Sequence, residues 1–420
     1  MFESVAAKDL LGVIALHDFD APKDYEDYGA DRIDAITALD RVICGAQVAQ
    51  VEQIAAFDHE RAQMMNAVAT TDHSLSVIGE IGMARNISPS IAGRQYGFAV
   101  GLARMPQSTE VFRSGRISER TARAVVRETI GLTVEQITAL DECLAPRLPG
   151  LTTFKASAAA RHLTIEIDAK AAYERTKANR SDRFVSVFPE GDGVAILQVR
   201  GPAEQIVAAF DALNAHARAE CAAGDGRTLG QLMSDTLVER VTGLAHATDV
   251  SVEIGLVMST EGLLRTEQVP AMLAGFGPVP PELAHDLCAA GEQTWLRRLF
   301  TDPVDGSLVA RDPRRRRFDG PLAKLITSRD RTCRQPGCDC RIRDLDHVLA
   351  HHRGGQTRAD NGQGLCRRSH TLKHLPGWSV TTNANNPGDM IWRTPTGHRY
   401  SSTEPPMFGY QARKHGKLRQ

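Results

Sequence analysis

Apolar residues at helical spacing dominate the first part of the chain. In the first such segment they recur every three or four residues, at Ile36, Leu39, Val42, Ile43 and Ala46. That spacing predicts an amphipathic helix with these five side chains on one buried stripe. Similar segments follow one another to about residue 180, so we expect a bundle of helices.

Residues that cap helices mark the boundaries between these segments. Ser88 followed by Pro89 is a typical cap and first-turn pair. Thr133 with Gln136 three residues later has the spacing of a capping box, in which each side chain bonds the other residue's backbone N–H group. Both pairs therefore predict helix starts.

After Asn179 the pattern changes toward β-branched residues. Segments 184–188 and 194–199 are separated by a turn with two glycines, which predicts a β-hairpin. Further elements are predicted downstream: helices at 202–221 and 229–241, a strand at 250–258 and a second hairpin at 299–309. We therefore expect a tail at 1–28 and then a multi-helix domain with a minor β element at 29–310. The predicted fold class is mainly α with a small α+β part.

Composition agrees with a folded protein. Of 420 residues, 42% are hydrophobic and 24% are charged, so extensive disorder is not expected. The acidic N-terminus lacks the pattern of a secretory signal, and no run reaches the roughly 18 to 20 apolar residues of a membrane-spanning helix. We expect a cytoplasmic protein that does not enter a membrane.

Charge is distributed unevenly along the chain. Residues 311–375 contain 16 Lys and Arg against 7 Asp and Glu, whereas residues 1–310 contain 28 against 42. A basic C-terminal region suggests a surface for nucleic acid, although an unevenly charged solvated surface explains the counts equally well. Arg315 and Arg316, within a run of four arginines, are predicted phosphate contacts; the alternative is a strand edge kept soluble by charge.

Three cysteines are predicted to bind a structural metal ion. Cys333 and Cys338 enclose a tight turn that can direct both thiolates at one ion, and Cys366 follows at an expected helix start. Clustered thiolates suit tetrahedral Zn²⁺, which would stabilise a segment too short to bury much core. Chance clustering of cysteines in a cytosolic chain is the less favoured alternative.

A second group of residues suggests hydrolytic chemistry. Asp346 at an expected strand end can bind a divalent cation such as Mg²⁺ or Mn²⁺, and His347 can accept a proton from water. Asn361 is suited to fixing the His347 ring, and His370, one turn beyond Cys366, can be a second ligand of the cation. We expect the side chains of Asp346, His347 and His370 to share one cleft. Arg367 and Arg368, at the helix start, are predicted phosphate contacts.

Together these motifs resemble an HNH (His-Asn-His) endonuclease domain of the ββα-metal type. The resemblance rests on the Cys333 to Cys338 turn, Asp346-His347, the segment from Gly354 to Thr357, the segment from Asn361 to Cys366, and His370. The preceding part resembles a helical domain of unknown function that many bacteria fuse to this nuclease. The resemblance implies DNA cleavage that depends on a divalent metal. His347 would be the general base and Asn361 the central asparagine, with His370 binding the metal beside Asp346.

The resemblance adds domain boundaries, and it has one departure. We expect the nuclease domain at 311–378 and a C-terminal tail at 379–420. In members with a zinc site, the residue before the final metal ligand is usually Cys or His, whereas this chain has Ser369. Three residues remain possible as the fourth zinc ligand: Cys340, His370 and His374. If His370 binds zinc, His374, one turn further along the helix, could bind the catalytic cation instead. Alternatively, the zinc site is lost. We place two nearby loop histidines, His351 and His352, outside the metal shell.

Two further functions remain open. Because of Ser369, the C-terminal region is alternatively a zinc-stabilised nucleic-acid-binding protein without cleavage activity. The acidic helical part is alternatively a protein-interaction module, and we expect that it can form a homo-oligomer.

Overall fold

The computed structural model describes most of the chain. The described residues are 30–64, 71–244, 246, 256–257, 270–273, 276–290, 317–383 and 386–405. Arg315, Arg316, the tail predicted at 1–28 and the hairpin predicted at 299–309 lie outside these ranges. Backbone contacts divide the chain into two units, Met1–Thr176 and Lys177–Gln420, and each is described by itself. The domain boundaries drawn from the sequence stay predictions.

The first unit is built from helices. Their bounds are α1 Ala30–Met64, α2 Thr71–Ala84, α3 Pro89–Leu102, α4 Pro106–Arg113, α5 Glu119–Glu128, α6 Val134–Leu144 and α7 Thr153–Ile167, and α8 Ala169–Ser181 continues into the second unit. The predicted starts are confirmed: Ser88 caps α3, and Thr133 and Gln136 form a capping box on α6.

The core of this unit includes a face of α1 that the sequence pattern did not select. Cys44, Val48, Val51 and Ile54 are buried in it, and Phe98 and Phe112 pack with ring centroids 6.3 Å apart. The predicted stripe is wrong, because Ile36, Val42, Ile43 and Ala46 are exposed and Leu39 is half-buried. Apolar residues occur at helical spacing on both faces of α1, so periodicity alone could not choose between them.

The second unit combines helices with small antiparallel sheets. Its first elements are β1 Phe184–Gly191, β2 Val194–Arg200, α9 Ala203–Ala222 and α10 Leu229–Thr242. β1 and β2 form the predicted hairpin, and α9 and α10 confirm the predicted helices. Three short strands and a helix follow: β3 Leu256–Val257, β4 Ala271–Leu273, β5 Gly277–Val279 and α11 Pro281–Ala290. Of the strand predicted at 250–258, only 256–257 lies within the described residues.

The C-terminal part of this unit carries the chemistry-bearing residues. Its elements are α12 Gly320–Asp330, β6 Asp344–His347, β7 Gly362–Leu365, α13 Arg367–Lys373, β8 Ser379–Asn383, β9 Asn386–Arg393 and β10 Arg399–Ser402. β8, β9 and β10 form a three-stranded antiparallel sheet inside the segment predicted as a tail. Val380, Met390 and Trp392 on these strands are buried, which gives the sheet an apolar face.

The predicted fold class is confirmed, since the molecule is mainly α with small antiparallel sheets. Within the described ranges, no helix combines the length and the apolar character needed to cross a membrane.

Candidate metal centres

The hairpin of β6 and β7 is followed directly by α13, which gives a β-β-α unit. Asp346 pairs with Gln363 and His347 with Gly362 across the hairpin. Gly362 permits close packing: a Cβ atom at this position would lie 2.4 Å from Ile326, far inside van der Waals contact. The absence of that side chain lets α12 lie against one face of the hairpin.

Asp346 and His347 lie on opposite faces of this hairpin, as consecutive strand residues do. On one face, His370 of α13 approaches two carboxylates: its Nε2 atom is 3.8 Å from Asp346 and its Nδ1 atom 3.4 Å from Asp344. On the other face, the His347 ring packs on Phe318, with ring centroids 4.5 Å apart. The expectation of one shared cleft is therefore met for Asp346 and His370 but not for His347.

Asp346, His370 and His374 form the first candidate metal centre. Each offers one ligand atom, and these atoms all lie within 4.8 Å of one another. The two imidazole rings contact edge to face, with centroids 5.2 Å apart. One carboxylate and two imidazoles are a donor set that fits a divalent transition metal ion. The sequence predicted His374 as a ligand of this cation only in the case that His370 binds zinc, whereas here both histidines group with Asp346.

The environment of His374 favours the protonation state that binds metal. Burial lowers the pKa of this imidazole, and nearby Lys373, His370 and His352 lower it further, whereas Asp346 raises it. The net effect is a lowered pKa, so the ring is neutral at pH 7. A metal ion binds only neutral imidazole.

Lys373 is a neighbour of this centre that the sequence analysis missed. Its ammonium nitrogen lies 2.5 Å from the Asp346 carboxylate and also donates to the backbone carbonyl of His347. The side chain is 8% exposed, so solvent screens this contact little. Lys373 therefore holds Asp346 and competes for it with any cation.

His347 is held by contacts within the loop that follows β6. Its Nε2 atom lies 2.9 Å from the hydroxyl oxygen of Thr357, and both residues are buried. Its ring also meets the ring of His351 edge to face at 5.6 Å. The ring orientation is thus fixed by side chains that the spacing of the motif does not reveal.

Asn361 acts on the loop backbone and not on the His347 ring. Its amide donates to the carbonyls of Leu349 and Gln356 at 3.1 and 2.8 Å, and its carbonyl accepts from Leu349 N–H at 2.8 Å. The predicted contact with the ring is therefore wrong. Because Gln356 precedes Thr357, Asn361 instead fixes the segment that carries the hydroxyl group bonded to His347.

A glycine makes this loop geometry possible. A Cβ atom on Gly355 would lie 1.8 Å from the carbonyl oxygen of Leu349 and 2.9 Å from the Asn361 amide nitrogen. No side chain fits there. The Gly354-Gly355 pair thus lets the loop close tightly around Asn361.

Cys333, Cys338 and Cys366 form the second candidate metal centre. All three are buried, and their sulfur atoms lie within 4.8 Å of one another. The sulfurs of Cys338 and Cys366 are 4.0 Å apart. Two thiolates on one tetrahedral Zn²⁺ lie about 3.8 Å apart, given a Zn–S distance of about 2.3 Å. The predicted cluster is therefore formed, and its geometry and donor chemistry fit zinc.

Two histidines are removed from the alternatives for the fourth zinc ligand. His370 and His374 group with Asp346 and not with the cysteines. Ser369 is fully buried, with its hydroxyl oxygen 3.1 Å from the sulfur of Cys366. Cys340 is half-buried, and it does not belong to the group of three sulfurs that lie within 4.8 Å of one another.

The two arginines predicted as phosphate contacts differ in their surroundings. Arg367 is exposed at the start of α13. Arg368 is half-buried beside the cysteine cluster: burial lowers the pKa of its guanidinium, and the charges of Cys366, Cys338 and Cys340 oppose that shift. Its position is that of a counter-charge to thiolates. The prediction that Arg367 and Arg368 contact phosphate stays a prediction.

A buried ionic network joins the elements around both centres. The carboxylate of Asp330 accepts hydrogen bonds from Arg329 and Arg334, at 2.7 and 3.0 Å for the shortest contacts, and from the backbone N–H of Gly364 at 2.7 Å. Arg329 also donates to the carbonyls of Ala359 and Gly362, on either side of Asn361. The network therefore holds strand β7 and the end of the preceding loop, at Ala359, in place.

A profile of the protein family DUF222, described as a domain of unknown function, matches residues 38–261. This match covers more than half of the chain. The chain belongs to the DUF222 family. The DUF222 segment begins within α1 and contains the other helices of the first unit and the β1–β2 hairpin, whereas all the candidate metal ligands lie beyond its end.

Two relatives of this DUF222 protein come from Mycobacterium tuberculosis strain H37Rv. The chain is 26% identical over 363 residues to the uncharacterized protein Rv3776, and the match covers 77% of this chain and 69% of that protein. It is 38% identical over 84 residues to the uncharacterized protein Rv2100, over 19% of this chain and only 15% of that relative. No solved structure matches significantly.

Proposed function

We propose that this protein is a metal-dependent DNA endonuclease of the HNH type, which hydrolyses phosphodiester bonds. The observation that carries the proposal is the gathering of Asp346, His370 and His374 against one face of a β-β-α unit. His347 lies at the end of the same hairpin. The resemblance in sequence to HNH nucleases supports the same roles for these residues.

Each residue has a defined role in this proposal. Asp346, His370 and His374 would hold a divalent cation, which when bound would neutralise the scissile phosphate and stabilise the leaving oxygen. His347 accepts a proton from the attacking water, and Thr357 keeps its ring in place. Asn361 positions the loop that carries Thr357.

The two faces of the hairpin constrain where DNA binds. Since His347 and the metal ligands lie on opposite faces, the scissile phosphodiester must lie across the end of the hairpin, next to the last residue of β6. His351 follows at this end, and its ring contacts the His347 ring.

Metal identity and cellular location belong to the same proposal. The donor set of one carboxylate and two imidazoles suits Mn²⁺ or another transition ion better than Mg²⁺, which prefers oxygen ligands. A structural Zn²⁺ at the cysteines needs reduced thiols, as in a cytoplasm.

DNA is the proposed partner. Arg315, Arg316 and Arg367 are its proposed phosphate contacts.

A metal series on supercoiled plasmid DNA tests this function. The full chain, freed of metal by chelation, should nick the plasmid only after Mn²⁺, Mg²⁺ or another divalent ion is restored. Asp346→Ala should remove that stimulation, because it deletes the carboxylate ligand. The exposed Asp360, in a surface pair with Arg358, provides the matched control Asp360→Ala. Nicking by Asp346→Ala equal to that of the control would contradict the metal site.

One observation favours a second function, that of a nucleic-acid-binding protein without cleavage. Lys373 already neutralises Asp346, which is the only carboxylate in the first candidate centre. If the lysine prevents cation binding, the zinc-stabilised domain still presents basic residues to DNA. Salt-sensitive DNA binding with no nicking under any divalent ion would favour this function.

A further inference from the structure

The sheet of β8, β9 and β10 has one buried face and one exposed face. Val380, Met390 and Trp392 cover the buried face. Because side chains alternate along a strand, the residues between these three lie on the other face. Two rows cross the strands there: Ser379, Arg393 and Arg399 in the first row, and Thr381, Ile391 and Ser401 in the second. All six are exposed to solvent except Ile391, which is half-buried.

Arg393 and Arg399 lie directly opposite each other on neighbouring antiparallel strands. Like charges at such positions destabilise a sheet. Within the described residues, neither side chain has an ion pair or a hydrogen bond that would offset the repulsion. An anion bound to this face would offset it.

The acidic residues near this sheet are engaged elsewhere. Asp389 is four residues before Arg393, roughly 14 Å along the strand, and its carboxylate accepts the N–H group of Glu404 at 2.8 Å. The Glu404 carboxylate itself lies 3.7 Å from the buried Arg329. Residues 405–420 add four lysines and arginines and no acidic residue. The exposed face is therefore positively charged.

A groove joins this face to the loop that follows β6. The groove has a volume of about 440 Å³ and lies between that loop and β8, the edge strand of the sheet. Thr381 lines it on the side of the sheet, and Val348, Gly355 and Asn361 line it on the side of the loop. Val348 directly follows His347. A nucleic-acid strand with a phosphate at the end of the β6–β7 hairpin can therefore continue along the groove onto the exposed face.

The side chains of the exposed face suit the phosphate backbone of DNA. A guanidinium group binds phosphate oxygens through two parallel hydrogen bonds, and serine and threonine hydroxyls also donate to phosphates. A surface that binds membranes needs large apolar anchors beside its basic residues. Ile391 is the one large apolar side chain in the two rows, and it is half-buried. The chemistry of this face therefore fits DNA better than a lipid surface.

We infer that the exposed face of the β8–β10 sheet binds the phosphate backbone of DNA, with Arg393 and Arg399 as its charged contacts. The inference rests on DNA as the partner in the proposed function, but it does not depend on cleavage. Both arginines lie outside the two candidate metal centres.

Fluorescence anisotropy of a labelled DNA duplex, titrated with the full chain without added divalent ions, tests this surface. A variant with both Arg393→Gln and Arg399→Gln should bind the duplex at least fivefold more weakly. The loss of two phosphate contacts should also reduce the slope of log affinity against log salt concentration by about 1.8, at about 0.9 per phosphate. A control variant with Arg183→Gln and Arg240→Gln, two exposed arginines of the same unit, has the same change in charge and should bind like the wild type.

Two further measurements separate DNA binding from a structural role of the arginines. Removal of two opposed like charges should leave the urea midpoint of unfolding unchanged or raise it. A variant with Arg393→Lys and Arg399→Lys keeps both charges and should restore the salt slope of the wild type.

The inference would be overturned if the Arg393 and Arg399 glutamine variant bound DNA like the control variant, or with an unchanged salt slope. Wild-type protein that binds phosphatidylserine vesicles but not the DNA duplex would also overturn it. Failure of the nuclease proposal gives a different result: no form of the protein would nick plasmid, while DNA binding would still weaken only in the Arg393 and Arg399 glutamine variant.

Discussion

The ammonium group of Lys373 donates a hydrogen bond to the carboxylate of Asp346, with Nζ and Oδ2 2.5 Å apart. The contact places a positive charge at the first candidate metal centre. A buried ammonium next to a cation site repels a divalent cation by about 8 kcal/mol at 4 Å and an effective dielectric constant near 20.

Substitution of this lysine should therefore strengthen metal binding. We predict that Lys373→Gln raises the affinity for Mn²⁺ at least tenfold, measured by calorimetric titration of the metal-free protein. Lys324→Gln, on the exposed surface of α12, should leave the affinity unchanged. Weaker Mn²⁺ binding in Lys373→Gln would mean that the lysine supports the ligand geometry and does not compete with the ion.

The hydroxyl of Thr357 provides a second prediction, which concerns the His347 ring. Thr357→Val keeps the shape of the side chain but removes the hydrogen bond to Nε2. Loss of this hydrogen bond should raise the activation free energy by about 1 to 1.5 kcal/mol, which makes nicking roughly tenfold slower. Thr357→Ser retains the hydroxyl and should recover most of the rate. Equal rates for the valine and serine variants would show that the hydrogen bond is not needed.

The buried Asp330 provides a third prediction, on stability. Asp330→Asn leaves Arg329 and Arg334 buried without their shared counter-charge. Removing one partner of a buried ion pair costs about 3 to 5 kcal/mol. Urea unfolding followed by the fluorescence of Trp378 and Trp392, both buried in this region, measures the loss. The control Asp360→Asn, in an exposed pair with Arg358, should cost less than about 1 kcal/mol. Similar losses for both variants would contradict the role of the network.

Glu128 in the first unit provides a fourth prediction, which depends on pH. Burial raises the pKa of its carboxyl group, but hydrogen bonds from Arg161 and Ser157 outweigh that effect and lower the pKa below its usual value. A depressed pKa in the folded state contributes stability above the unfolded pKa of about 4.3, and this stability is lost as pH falls through the folded pKa.

Glu128→Gln should therefore destabilise the protein by about 1 to 2 kcal/mol at pH 7 and by less near pH 3. Urea unfolding at the two pH values measures the difference, with the exposed Glu142→Gln as control. A cost that does not change with pH would mean that the charge of Glu128 does not contribute.

The ligand groups of the site followed from residue type and spacing, and the residues that support them did not. Cys333, Cys338 and Cys366 meet as predicted, as do Asp346 and His370. A tight turn links Cys333 to Cys338, and the antiparallel pairing of β6 with β7 returns the chain to Cys366 and His370. Thr357, Lys373 and Asp330 have no such signal, since their contacts depend on how a loop and a helix pack against β6. His347 was misplaced relative to Asp346 because the motif gave their order along the chain and not the face of the strand.

The fold was predictable where local signals were strong. The capping residues Ser88 and Thr133 located helix starts, and the two glycines of segment 189–193 located a hairpin. The buried stripe on α1 was not predictable, since its two faces are apolar at the same spacing. The sheet of β8 to β10 was not predicted. Its buried residues Val380, Met390 and Trp392 nevertheless lie at the alternating positions that are typical of strands with one buried face.

His347 is proposed to activate water for phosphodiester hydrolysis. The most direct test compares wild type, His347→Ala and the exposed His162→Ala on supercoiled plasmid at saturating Mn²⁺, with DNA binding measured in the same samples. His347→Ala should bind DNA like the wild type but should not nick it, while His162→Ala should do both. Nicking by His347→Ala at the wild-type rate would contradict the proposed role of His347.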